Sequence, residues 1–129
     1  MDGPARETRI PARWTDFDAL GHLTHSVAFV LLDEARDELL RELVGDFDAW
    51  PTVVAHVSAD FRRELGRGPR ELVVRTRVTG VGRSSVRFAQ EILDPGGEPA
   101  VEAQAVLVAW DPAARGPRPI SDGDRARLL

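Results

Sequence analysis

Two carboxylates and two imidazoles crowd one short segment, Trp14-Thr15-Asp16-Phe17-Asp18-Ala19-Leu20-Gly21-His22-Leu23-Thr24-His25. A carboxylate can take a proton from water or attack a carbonyl carbon directly. An imidazole, with an unperturbed pKa of about 6.5, can pass a proton near neutrality. The segment runs into Val27-Ala28-Phe29-Val30-Leu31-Leu32, the most apolar stretch of the chain, which reads as the start of a helix. A helix N-terminus carries amides with no intrahelical partner and a partial positive charge. The amides of Thr24, Ser26 and Val27 are therefore candidate donors to a developing oxyanion. A polarised carbonyl beside a placed carboxylate is the equipment of acyl-group hydrolysis.

Each residue also has a plainer reading. Asp18 can satisfy backbone amides in an Asx-turn. His25 can pack its ring from the first helical turn. Asp16 reads as a residue that orders the loop, and Gly21 as one that permits positive φ or a close backbone approach. Asp16, Asp18, His22 and His25 together offer donors that suit a hard divalent ion. No HExxH or comparable spacing accompanies them, so no metal and no cofactor is assigned.

A scaffold to hold the segment is legible on both sides of it. Thr8–Trp14 reads as a first strand, with Pro11 arguing for an edge or a bulge. Residues 25–44 read as one long helix, stopped at Gly45. Its first half is apolar all round, which predicts burial on every side. Its second half is amphipathic, with Ala35, Leu39 and Leu43 on one face. Four stretches then alternate with period two, carried by Ala55–Phe61, Val74–Val78, Val86–Ile92 and Val101–Ala109. Turns fall at Gly66–Pro69, Gly80–Gly82 and Asp94–Gly97. Short connections make the strands mostly antiparallel. The sum is an α+β domain with one long helix on a five-stranded antiparallel sheet. Residues 1–7 and 111–129 read as loose or extended tails, with Ser121 or Asp122 able to cap a last helical turn.

The chain of 129 residues suits a single domain spanning 1–129. With no cysteine it has no disulfide, thiolate metal site or cysteine nucleophile. A formal charge of −4 argues against nucleic acid as a partner. No apolar run approaches the ~20 residues that span a bilayer, so no membrane partner is expected. The polar start Met1–Arg6 has no signal-like apolar segment, which makes a cytoplasmic location the expectation. Every basic residue is arginine, so any phosphate contact falls to a planar guanidinium fork.

The run Asp16-x-Asp18-x-x-Gly21-His22, followed by Phe29…Glu34-Ala35-Arg36, resembles the 4-hydroxybenzoyl-CoA thioesterase family of hotdog-fold acyl-CoA thioesterases. The likeness runs from about Thr8 to Trp110. It is most specific in the loop, where His25 stands seven residues after Asp18, as in one branch of that family. Many relatives carry two asparagines where this chain has Thr24-His25.

The resemblance implies that the sheet wraps the helix as a hotdog. It implies hydrolysis of an acyl- or aroyl-CoA (or acyl-carrier-protein) thioester, with Asp18 as base or nucleophile and His25 assisting. His22 would then hold the loop by a side-chain-to-backbone bond. Arg83, Ser84 and Ser85 fall where relatives place polar and basic residues near the CoA arm. Arg62, Arg63 and Arg67 are further arginines open to the CoA phosphates. The family assembles at least as a homodimer or homotetramer, with active sites between subunits. A hotdog hydratase or dehydratase, and a non-catalytic acyl-thioester binding protein, are the alternatives.

Overall fold

A computed structural model describes residues 3–68 and 70–129. Strand β1 (Ala5–Pro11) leads through one 3-10 turn (Trp14–Asp16) to helix α1 (His25–Leu43). Strands β2 (Thr52–Phe61), β3 (Glu71–Val81), β4 (Ser85–Leu93) and β5 (Pro99–Asp111) follow, then a two-residue strand β6 (Gly116–Pro117) and helix α2 (Asp122–Leu128). The five long strands form one antiparallel sheet in the order β1-β3-β4-β5-β2, and β6 pairs antiparallel with the end of β5. Helix α1 packs on one face of this sheet, so β1 and β2 are its two edges.

The period-two pattern explains which face meets the helix. Val74, Thr76 and Val78 on β3, and Val86, Phe88, Gln90 and Ile92 on β4, are all buried. Val101, Ala103, Ala105, Leu107 and Ala109 do the same on β5. Helix α1 answers with Ala28, Leu31, Leu32, Ala35, Leu39 and Leu40. The helix stops where expected: Gly45, at φ 144°, donates its N–H back to the Leu40 carbonyl at 2.9 Å.

One polar layer divides the core. Arg36 is buried among these apolar side chains and donates to the Gln90 side-chain oxygen at 2.8 Å and to Asp33. Gln90 in turn donates to the Leu32 carbonyl at 2.9 Å and to the Thr76 hydroxyl at 3.1 Å. Removing one member would leave a buried partner unsatisfied, at a cost of about 1–3 kcal/mol. The layer therefore fixes the register of helix on sheet.

Three expectations are corrected. The first strand is Ala5–Pro11, not Thr8–Trp14, so residues 5–7 are not loose. They pair with β3, and Arg6 reaches Glu38 and Glu42 on α1 at 3.2 and 3.0 Å. The tail 111–129 is not loose either. Ile120 and Leu128 enter the core, Ser121 caps α2 by accepting from the Asp124 amide, and the Trp50 indole N–H donates to Asp124 at 2.9 Å. The apolar half of α1 is not buried on every side: Val30 is 50% exposed on the face away from the sheet. Pro69, which ends the expected Gly66–Pro69 turn, lies outside the described residues, as do Met1 and Asp2.

Candidate active site

The segment 14–25 folds into a tight reversal between β1 and α1. Asp16 closes the 3-10 turn and is buried. One of its oxygens accepts from the Arg13 amide at 2.8 Å, and the other from the Arg13 guanidinium at 3.1 and 3.0 Å. Both oxygens are thus engaged within the loop.

Phe17 and Leu23 then pair as an antiparallel bridge around a turn at Asp18–Gly21. The Gly21 amide donates to the Asp18 carbonyl at 2.9 Å, and the Asp18 amide to the His22 carbonyl at 2.8 Å. Gly21 sits at φ 78°, where a side chain would be strained.

The Asp18 side chain is exposed but not free. Its Oδ1 accepts from the amides of Leu20 at 2.9 Å and His22 at 3.1 Å, which is the Asx-turn arrangement. Among the described residues no hydrogen bond reaches Oδ2. The His22 amide does most to hold the carboxyl below the usual aspartate range; partial desolvation opposes it, and the Leu20 amide and the His22 and His25 imidazoles add to the lowering. Asp18 is therefore ionised at neutral pH, the form that both a base and a nucleophile require.

His25 is the first residue of α1, and its ring lies 4.6 Å from the ring of Phe61, which ends β2. Phe29 meets the same phenyl edge-on at 6.4 Å. A cavity of about 450 Å³ brings Asp18, His22, His25, Phe61, Arg62 and Leu65 together. A larger groove of about 630 Å³ crosses the charged outer face of the sheet, beside Arg75, Glu91 and Glu102, and none of the candidate residues lines it. The smaller cavity is the one with the chemistry.

The other candidates divide. Thr24 is the N-cap of α1, but its amide already donates to the Asp16 carbonyl at 3.0 Å, so it is not an available oxyanion donor. Ser26 and Val27, with His25, are the first helical residues and have no carbonyl four residues back within the helix. His22 does not bond the backbone through its ring: Nε2 faces the Glu64 carboxylate at 3.1 Å. Arg62 reaches the cavity but lies 3.5 Å from Asp60 and 3.9 Å from Glu102.

Arg83, Ser84 and Ser85 lie in and beside the β3–β4 turn, away from the cavity. Ser85 pairs with Val108, whereas the cavity reaches Val101. That stretch of β5 is about 23 Å long at ~3.3 Å per residue. Within one chain these three residues do not meet Asp18. Phe61 is a site residue that sequence reasoning missed, although it is the last apolar position on the helix-facing side of β2.

A thioesterase of Thermus thermophilus, complexed with coenzyme A and zinc, superposes with a TM-score of 0.85 at 29% identity, covering 98% of this chain and 98% of that one. A family model described as the thioesterase-like superfamily matches residues 12–128. The chain belongs to that superfamily. Its fold is the hotdog, as the sheet order and the packing of α1 show. A predicted thioesterase of Bacillus stearothermophilus shares the fold at a TM-score of 0.87 and 23% identity, over 97% of this chain and 94% of the other. A 1,4-dihydroxy-2-naphthoyl-CoA thioesterase from Synechocystis does so at 0.84 and 16% identity, over 97% and 96%. Among curated proteins no sequence match is found.

Proposed function

We propose that the protein hydrolyses an acyl- or aroyl-CoA thioester to the free acid and CoA. The observation that carries this reading is the single cavity in which an ionised Asp18 and the imidazole of His25 meet the start of α1. The Thermus relative's complex with coenzyme A supports the choice of thiol. The thioester carbonyl would lie toward the amides of Ser26 and Val27. Asp18 takes a proton from the attacking water, or attacks the carbonyl itself to give an anhydride that water then opens. Negative charge moves to the carbonyl oxygen and is met by the helix amides. The carbon–sulfur bond breaks, and His25 supplies the proton to the departing thiolate.

The zinc of the Thermus complex is not carried over. Among the described residues no three His, Asp or Glu side chains come together to hold an ion.

The active unit in this reading is a homodimer formed along β2. Two β2 strands meeting antiparallel would lay the start of one against the end of the other. The partner's β3–β4 turn would then approach the Asp18 cavity, which is where Arg83, Ser84 and Ser85 become CoA contacts.

A panel of short, long and aromatic acyl-CoAs, with released thiol detected, tests the proposal. At least one should be cleaved with stoichiometric free thiol. Hydration of an enoyl-CoA without thiol release would instead identify a hydratase. Binding without any turnover would identify an acyl-thioester binding protein.

A further inference from the structure

Arg67 lies in the β2–β3 connection, far along the chain from the reactive loop, and touches that loop at three carbonyls. Its Nη2 donates to the carbonyls of Phe17 at 3.5 Å and Asp18 at 3.3 Å. Its backbone amide donates to the Gly21 carbonyl at 2.9 Å. The guanidinium lies over the Trp14 ring at 3.7 Å and 5.7 Å from the ring of Phe17. The neighbours of Arg67 continue the seam. The Leu23 amide donates to the Leu65 carbonyl at 2.8 Å, and His22 bridges Gly66.

We propose that Arg67 is a positioning residue, a clamp that fixes the turn carrying Asp18 by stacking on Trp14 and bonding the carbonyls of Phe17 and Asp18. Trp14 is 73% exposed, so little else of the chain covers it. A planar guanidinium is the side chain that can stack on a ring and donate in its own plane at once. The Asp18 carboxylate is placed by the amides of Leu20 and His22, which belong to the clamped turn. A shift of the turn therefore moves the carboxylate, and misplacement of about 1 Å can cost ~100-fold in rate. The guanidinium is spent on the loop and is not a CoA-phosphate contact. Its effect on turnover presupposes that Asp18 acts as proposed above.

Hydrogen exchange of the 17–24 segment and steady-state kinetics separate the possibilities in Arg67→Met and Trp14→Leu. Exchange in 17–24 should quicken about tenfold while β4 is unchanged. On an acyl-CoA, kcat should fall about tenfold with KM within about twofold. The same loss should appear on the same acyl group carried by N-acetylcysteamine, which has no nucleotide. Should Arg67→Met fail to fold, Trp14→Leu carries the same expectation. Unchanged exchange, or faster exchange with unchanged kcat, overturns the clamp. A rise in KM confined to the full CoA substrate overturns it in favour of a phosphate contact. A wild type inactive on every thioester defeats the thioesterase reading, and the clamp then stands or falls on exchange alone.

Discussion

β1 and β2 are both edge strands, and they meet an approaching strand in opposite ways. β1 carries Arg6, Glu7 and Arg9 and ends at Pro11. Its charges are paired, Arg6 to α1 and Glu7 to Arg9 at 3.2 Å. Proline and charge are the ordinary protections of a solitary edge. β2 has neither along most of its ten residues, with no charge before Asp60. Val54 is 52% exposed, and Val53, Val57 and Phe61 stand open beside it. Val54, Val57 and Phe61 lie on one face of the strand and make an apolar flank, the kind of surface that another chain covers. Phe61 joins this flank to the Asp18 cavity. The closed edge is protected as a solitary strand is, and the open edge is the one along which the proposed dimer forms.

Between the two edges, the largest effect should come from putting a charge on the open one. Val57→Asp should turn a dimer into a monomer by light scattering and lower kcat/KM by at least about 100-fold, more than ~2.7 kcal/mol. Glu7→Lys on the closed edge should leave assembly intact and activity within about twofold. A fully active wild-type monomer would remove the reason for the contrast.

A smaller effect should follow at the far turn. Arg83→Ala should raise KM for CoA thioesters about tenfold, ~1.4 kcal/mol, with kcat nearly unchanged. No such change should appear on a thioester lacking the nucleotide. Equal defects on both substrates would return Arg83 to the solvated surface and leave the partner's turn out of the site.

The smallest concerns pH. The proposed mechanism needs Asp18 ionised, and the amides of His22 and Leu20 hold its carboxyl below the usual range. Activity is therefore retained as pH falls and is lost only as pH drops through that lowered value. In His25→Gln, which leaves Asp18 as the proposed ionisable group, the rate should change less than about twofold between about pH 8 and 5. A midpoint above the ordinary aspartate range would mean that another group limits the reaction. The same depression makes Asp18 a small stabilising contribution above its unfolded pKa, lost on acidification.

Much of this scaffold was legible because it is written locally. Gly45 marks the helix end, and alternation from Val74 to Ala109 marks which side chains meet α1. That Asp18 and His25 would lie near one another was legible from their place on one short loop before an apolar helix, and both line the same cavity; their roles are what the family resemblance implies. What escaped was long-range. Ile120, Leu128 and the Trp50–Asp124 bond anchor a tail whose prolines and glycines read locally as extended. Arg36 carries a charge, which points to solvent, yet it sits on the buried face between Leu32 and Leu39 where Gln90 receives it. Val30 looks like core but is half exposed, because its helix buries only one face against the sheet. Thr24 was a reasonable oxyanion donor by position, until the fold brought the Asp16 carbonyl to its amide.

Turnover of Asp18→Asn bears on the site more closely than any other measurement. Asparagine keeps Oδ1 for the amides of Leu20 and His22, so the turn and the assembly should survive, with melting temperature and exchange in 17–24 unchanged. It loses the charge that the proposed base or nucleophile needs. A fall in kcat of about 1000-fold is expected, ~4 kcal/mol of transition-state stabilisation. A folded mutant that keeps more than about a tenth of wild-type kcat would show that Asp18 orders the loop and that the chemistry is done by another group.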